Sequence, residues 1–83
     1  MFLEIVTPDE KVFEGEVVSA TFPGSDGSFQ LLNNHAPMVS VLGKGDIKYK
    51  QEKKEEVHLL VEGGVVEVMS NKVNVLVEKL HTD

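Results

Sequence analysis

Three histidines, two serines set among glycines and fourteen carboxylates are the side chains of this sequence that could do chemistry. His35, His58 and His81 lack the short-range spacing of a zinc site. No cysteine is present to serve as nucleophile or thiolate ligand. His58 alternates with Val57 and Leu59, so it points from the outer face of a strand, and His81 lies solvated in the C-terminal tail. Only His35 sits at a loop tip beside a proline. A surface contact or a local hydrogen bond suits it better than a catalytic role.

The run Gly24-Ser25-Asp26-Gly27-Ser28 invites comparison with a serine hydrolase. A nucleophile elbow needs glycines two before and two after its serine, at a strand-to-helix turn. Neither Ser25 nor Ser28 has that frame. The run also lacks a P-loop lysine and a helix N-terminus to hold an anion. It reads as a glycine turn whose exposed backbone suits docking against another protein's loop. The carboxylates are dispersed: Asp9 and Glu10 in a turn, Glu14 and Glu16 around Gly15, Glu55 and Glu56 near a hairpin tip. No pair is placed as a facing acid and base, and no calcium loop is spelled out. The residues therefore compose no catalytic constellation and no cofactor or metal site.

The elements that position these groups are strands. Valine occurs fourteen times and alanine twice, at Ala20 and Ala36. Valine is stiff at χ1 and suits a pleated surface, whereas alanine is the best helix former. Ile47 and Tyr49 alternate with Asp46, Lys48 and Lys50; Val57, Leu59 and Val61, then Val66 and Val68, then Val73, Val75 and Val77 repeat the period of two. Those eight apolar residues of the C-terminal half are expected to line a core between two sheets. Leu60 and Leu76 fall on the wet side of the pattern, which implies a second partner there.

Turn residues divide the chain into Leu3–Val6, Lys11–Phe13, Glu16–Phe22 after a bend at Gly15, Ser28–Leu32, Asp46–Gln51 and the later strands. Gly63-Gly64 and Ser70-Asn71 are hairpin signals, and a helical turn after Asn33-Asn34 is stopped by Pro37. The fold class is all-β, a flattened sandwich or barrel of about ten short strands, as one domain over 1–83.

Charge narrows the partners. A net charge of −6 disfavours nucleic acid and an anionic membrane surface. Lys44, Lys48, Lys50, Lys53 and Lys54 are partly cancelled by Glu52, Glu55 and Glu56 and read as a solvated hairpin. No apolar run spans a bilayer and no signal peptide opens the chain, so a soluble domain on the cytosolic side is expected. A lipoyl or biotinyl carrier is the competing class, also small, acidic and β-rich. Its lysine stands in Asp-Lys-Ala or Met-Lys-Met, which Lys44 and Lys72 do not match. Neighbouring genes separate the two classes.

Phe13-Glu14-Gly15-Glu16-Val17, Pro23–Gly27, His35-Ala36-Pro37-Met38, Gly45-Asp46-Ile47, Gly63-Gly64-Val65-Val66-Glu67-Val68 and the strand Lys72–Val77 occur in one order. From Leu3 to Val77 that order resembles the N-terminal domain of the epsilon subunit of F-type ATP synthase. The resemblance implies a ten-stranded sandwich with no active site. Such a rotor part of the central stalk clamps the gamma subunit to the c-ring and passes on torque for proton-driven ATP synthesis. It implies a position peripheral to the cytoplasmic face of the bacterial inner membrane. Asp26, Gly27 and Ser28 match the loop that faces the c-ring, though the family has an acidic residue in place of Ser28. Gln30 stands for a glycine and Asn33-Asn34 for Pro-Gly. His35 to Leu42 matches the stretch against gamma, implying contacts from His35, Met38, Ser40 and Leu42. The family continues into an inhibitory helical hairpin. Here the sequence stops at Leu80-His81-Thr82-Asp83, as a natural short form or a trimmed one, so inhibition by an extended C-terminal arm is not expected of it.

Overall fold

A computed structural model describes residues 1–78; the expectations for His81 and for Leu80 to Asp83 lie outside the described residues. Nine strands follow one another: β1 (Phe2–Val6), β2 (Lys11–Glu16), β3 (Ser19–Gly24), β4 (Gly27–Leu32), β5 (Met38–Leu42), β6 (Gly45–Lys50), β7 (Val57–Val61), β8 (Gly64–Met69) and β9 (Lys72–Val77). The described residues contain no helix, and the all-β class is as the valine-rich alternation predicts.

All nine strands belong to one hydrogen-bonded sheet, in the order β2-β1-β9-β8-β5-β3-β6-β7, with β4 on β3. The sheet curls at a narrow seam where β3 meets β5 at the single pair Gly24↔Leu42. Two backbone bonds flank that pair, Ser25 N–H to the Val41 carbonyl (2.9 Å) and Gly43 N–H to the Pro23 carbonyl (2.8 Å). The curl makes two layers, β2-β1-β9-β8-β5 and β4-β3-β6-β7, which share one core. Leu3, Ile5, Val66, Val68, Val73, Val75 and Val77 come from the first layer, and Ala20, Phe22, Leu31, Ile47, Tyr49 and Val61 from the second. Burying each large side chain contributes about 1.5–3 kcal/mol. The Phe13 ring lies 4.2 Å from that of Tyr49, centroid to centroid, and ties the layers together away from the seam.

Several expectations change, among them the Gly63-Gly64 hairpin, since β7 and β8 lie in different layers and do not pair. Glu16–Phe22 is not one strand: β2 runs through Gly15 to Glu16, and Val17-Val18 links it to β3. Gly15 pairs with Leu3 on the core side, where a Cβ would stand 3.2 Å from both Gln51 Nε2 and the Phe13 ring. Close packing, rather than a bend, accounts for that glycine. Pro23 and Gly24 extend β3, leaving Ser25-Asp26 alone as the hairpin loop. Asn33-Asn34 is a turn with no helix after it. Val57 is exposed, because it opens β7 at the sheet margin, and Leu59 is half-buried; the other six of the eight are in the core.

Gly64 is buried between Leu42 on β5 and Val77 on β9. A Cβ there would overlap the Leu76 carbonyl oxygen and approach Val77 Cα at 3.0 Å. Gly64→Ala is therefore expected to destabilise the domain by about 1–3 kcal/mol through overpacking. Phe22→Ala should cost about 3–5 kcal/mol, and Leu76→Ala, exposed, no more than about 0.5 kcal/mol. Urea unfolding midpoints of the three variants check the ranking.

Candidate functional site

A strand presents alternate side chains to opposite faces, so each layer has one face on the core and one turned outward. The outward faces differ. On β4-β3-β6-β7 the outward residues include Ser28, Gln30, Thr21, Lys48, Lys50, Asp46 and His58, and this face is mostly polar, with Leu32 exposed at the end of β4. On the other layer, the register aligns Val41 of β5 with Val65 of β8, Val65 with Leu76 of β9, and Leu76 with Val6 of β1. One apolar row thus crosses four strands, with Val41 at 59%, Val65 at 42% and Leu76 at 49% exposure. Val39, 68% exposed, stands beside it. In the adjacent row Val39 faces Glu67, Glu67 faces Asn74, and Asn74 faces Glu4. A shallow groove of about 370 Å³ runs over these residues.

β5 places the sequence-predicted contacts on the core side. Met38, Ser40 and Leu42 are paired with the buried Val68, Val66 and Gly64. Met38 is half-buried against the core, Ser40 is half-buried, and Leu42 is only 4% exposed. The exposed side chains of the same strand are Val39 and Val41. Met38-Val39-Ser40-Val41-Leu42 is apolar on both parities, so the sequence pattern does not say which parity points outward. Leu76, read from its position between Val75 and Val77 as the mark of a second partner, is on the outward face. Leu60 is half-buried opposite Asp46 on the polar layer.

The loop before β5 is anchored at two points. The Met1 ammonium donates to Asn33 Oδ1 (2.6 Å) and Glu16 Oε2 (3.0 Å). Asn34, in the left-handed region at φ 64°, donates its N–H to Asn71 Oδ1 at 2.8 Å. Ser70 and Asn71 are themselves left-handed, at φ 52° and 60°, and form the tight turn between β8 and β9. His35 is exposed, with Nδ1–H donating to the Ala36 carbonyl at 2.7 Å. It meets no carboxylate or hydroxyl partner of a catalytic kind among the described residues. His58 is exposed, 2.9 Å from Glu56 Oε1 and 4.0 Å from Asp46 Oδ2. Its two ring nitrogens face different carboxylates, so the three cannot converge on one metal ion. Asp26, Gly27 and Ser28 are exposed at the β3–β4 hairpin end, next to the seam where Ser25 N–H bonds the Val41 carbonyl. Among the described residues no helix is long and apolar enough to cross a membrane.

Comparison with known proteins gives one consistent picture. Residues 1–82 match the model of the family described as the ATP synthase, Delta/Epsilon chain, beta-sandwich domain. The ATP synthase epsilon chain of Chlorobium limicola is 42% identical over 76 residues, which cover 92% of this chain and 86% of that one. The epsilon chain of Maridesulfovibrio salexigens is 42% identical over 94% of this chain, which spans only 54% of that relative's length. That of Leptospira interrogans is 40% identical, and this chain spans 59% of its length. Among solved structures, a chain of the Euglena gracilis mitochondrial ATP synthase superposes with a TM-score of 0.88 at 21% identity, over 95% of this chain and 51% of that one. A chain from the central stalk/c-ring of the Tetrahymena thermophila enzyme gives 0.80 at 23%, over 96% and 64%. At these identities the structural likeness shows the fold.

Asn71→Gly keeps the left-handed turn, because glycine accepts positive φ without cost, and removes the acceptor for Asn34. The Asn34 amide is expected to exchange with solvent at least several-fold faster, while global stability falls by about 0.5–1.5 kcal/mol. Amide hydrogen exchange read residue by residue measures both.

Proposed function

Because the chain belongs to the family of the ATP synthase delta/epsilon chain β-sandwich domain, we propose that it acts as a rotor part of the central stalk. In this reading it holds the gamma subunit on the polar loops of the c-ring and passes on torque, with no active site or cofactor of its own. It is a peripheral component at the cytoplasmic face of the bacterial inner membrane. Two observations about relatives support the reading: they are epsilon chains of ATP synthase, and a structural neighbour comes from a central stalk/c-ring.

The observation that carries it is the outward apolar row Val41, Val65, Leu76 and Val6. Four apolar positions aligned across neighbouring strands form a contiguous patch, which is of use chiefly where another protein covers it. The gamma contact is assigned to the segment His35 to Leu42. His35 contributes from the anchored loop, and β5 contributes through Val39 and Val41. Met38, Ser40 and Leu42 support those two side chains from below. The c-ring contact is assigned to Asp26, Gly27 and Ser28, whose two-residue turn leaves backbone groups exposed.

Val41→Glu should leave the free domain folded, since the site is exposed, and should weaken binding to the gamma subunit of the same organism at least tenfold. Met38→Glu should weaken binding too, but with a loss of stability, because it places a carboxylate against the core. Ser28→Ala should leave gamma binding unchanged. Titration calorimetry with purified gamma decides the matter. Equal affinity of Val41→Glu and the parent would remove β5 from the interface.

A further inference from the structure

Glu67 sits where a buried charge would be costly. It lies on the outward face of β8, between Val39 on one side and Asn74 on the other, one row from Val41, Val65 and Leu76. Any protein surface that covers Val39, Val65 and Leu76 also removes water from Glu67. An ionised carboxylate desolvated without a counter-charge costs more than its neighbours' apolar contacts return. No hydrogen bond or ion pair from another described residue reaches the Glu67 carboxylate. Glu4, at the far end of the same row, already has Lys11 Nζ at 3.3 Å. The groove of about 370 Å³ lies over the row, lined by Glu4, Val39, Val65, Glu67, Asn74 and Leu76.

We infer that the partner covering this face inserts an arginine side chain, flanked by apolar residues, into the groove between Glu67 and Glu4. The inference rests on the proposed rotor role and names the chemistry of the gamma element that docks here. The spacing favours a guanidinium. Glu67 and Glu4 are two strands apart, roughly 10 Å at backbone level, and Asn74 stands between them with an amide oxygen to offer. A planar fork of five donors can engage the Glu67 carboxylate on one edge and Asn74 on the other. An ammonium engages one acceptor set as a point charge and leaves the rest of the row dry. The overall charge of −6 acts in the same direction, drawing a basic element to the domain. The flanking residues follow from the row itself, since Val39, Val65 and Leu76 need apolar cover.

A charge deletion separates this arrangement from a purely apolar contact. Glu67→Leu enlarges the apolar patch at an exposed strand position and keeps the fold. If the partner brings arginine, Glu67→Leu binds the gamma subunit at least tenfold more weakly, Glu67→Gln is intermediate, and Glu67→Lys is weakest. The affinity of the parent also falls from 50 mM to 500 mM salt more steeply than that of Glu67→Leu. Asp46→Asn, on the polar layer, serves as control and leaves binding unchanged. If Glu67→Leu binds as tightly as the parent or tighter, the contact is apolar and the arginine is excluded, while the rotor reading stands. If the parent shows no binding to gamma at all, the rotor reading falls and this inference with it. Self-association of the parent chain that Leu76→Glu abolishes would assign the face to a second copy and overturn the inference as well.

Discussion

The parallel pairing of β1 with β9 holds the rest of the structure together. Leu3 lies beside Val73 and Ile5 beside Val75, and all four are almost wholly buried. Through this pair the two ends of the described chain become the middle of one layer, with β2 outside β1 and β8 outside β9. Parallel neighbours cannot be joined by a hairpin, so almost the whole domain serves as their crossover. Closing so long a loop costs entropy that grows only slowly with length. The return is that both strands are paired on both edges. Without it, β1-β2 would be an isolated hairpin, too small to be stable in water.

That central placement explains why β8 and β9 are apolar throughout their core face. Val66, Val68, Val73, Val75 and Val77 fill the core, and Val65 and Leu76 continue the apolar surface outward. The polar layer shows the contrast, with Lys48, Lys50, His58 and Gln30 on its outer face. The first layer thus carries an exposed apolar row, Val41, Val65 and Leu76, beside the polar row of Glu67, Asn74 and Glu4. The margin strand β2 carries Lys11, Glu14 and Glu16, charges that discourage further strand addition at that edge. That layer thereby combines an exposed apolar row with a charged edge.

The anchored loop joins these two themes. Asn33, Asn34 and Asn71 are ordinary polar residues in the sequence, separated by some forty positions at most. Folding brings them to one corner, where the Met1 ammonium and the β8–β9 turn hold the backbone that leads into His35 and Pro37. The loop is set by groups that sequence reasoning had no cause to connect.

Period-two valines and glycine punctuation are local properties, and they are legible without a structure. The all-β class, most strand positions, the Ser70-Asn71 turn and the outward place of Leu76 follow from them, because side-chain alternation is a property of each strand alone. The misread elements required neighbours. Gly15 looks like a bend until Phe13 and Gln51 are seen to occupy the space a side chain would need. Val57 fits the core pattern until β7 proves to begin at the margin. On β5 both parities are apolar, so only its register against β8, which pairs Leu42 with Gly64 and Val41 with Val65, decided that Val39 and Val41 face outward. The amino-acid sequence by itself determined that the chain folds as strands and where most of them lie. The tertiary structure alone decided which side of each strand is offered to a partner, because pairing register, unlike alternation, is set by residues far away along the chain.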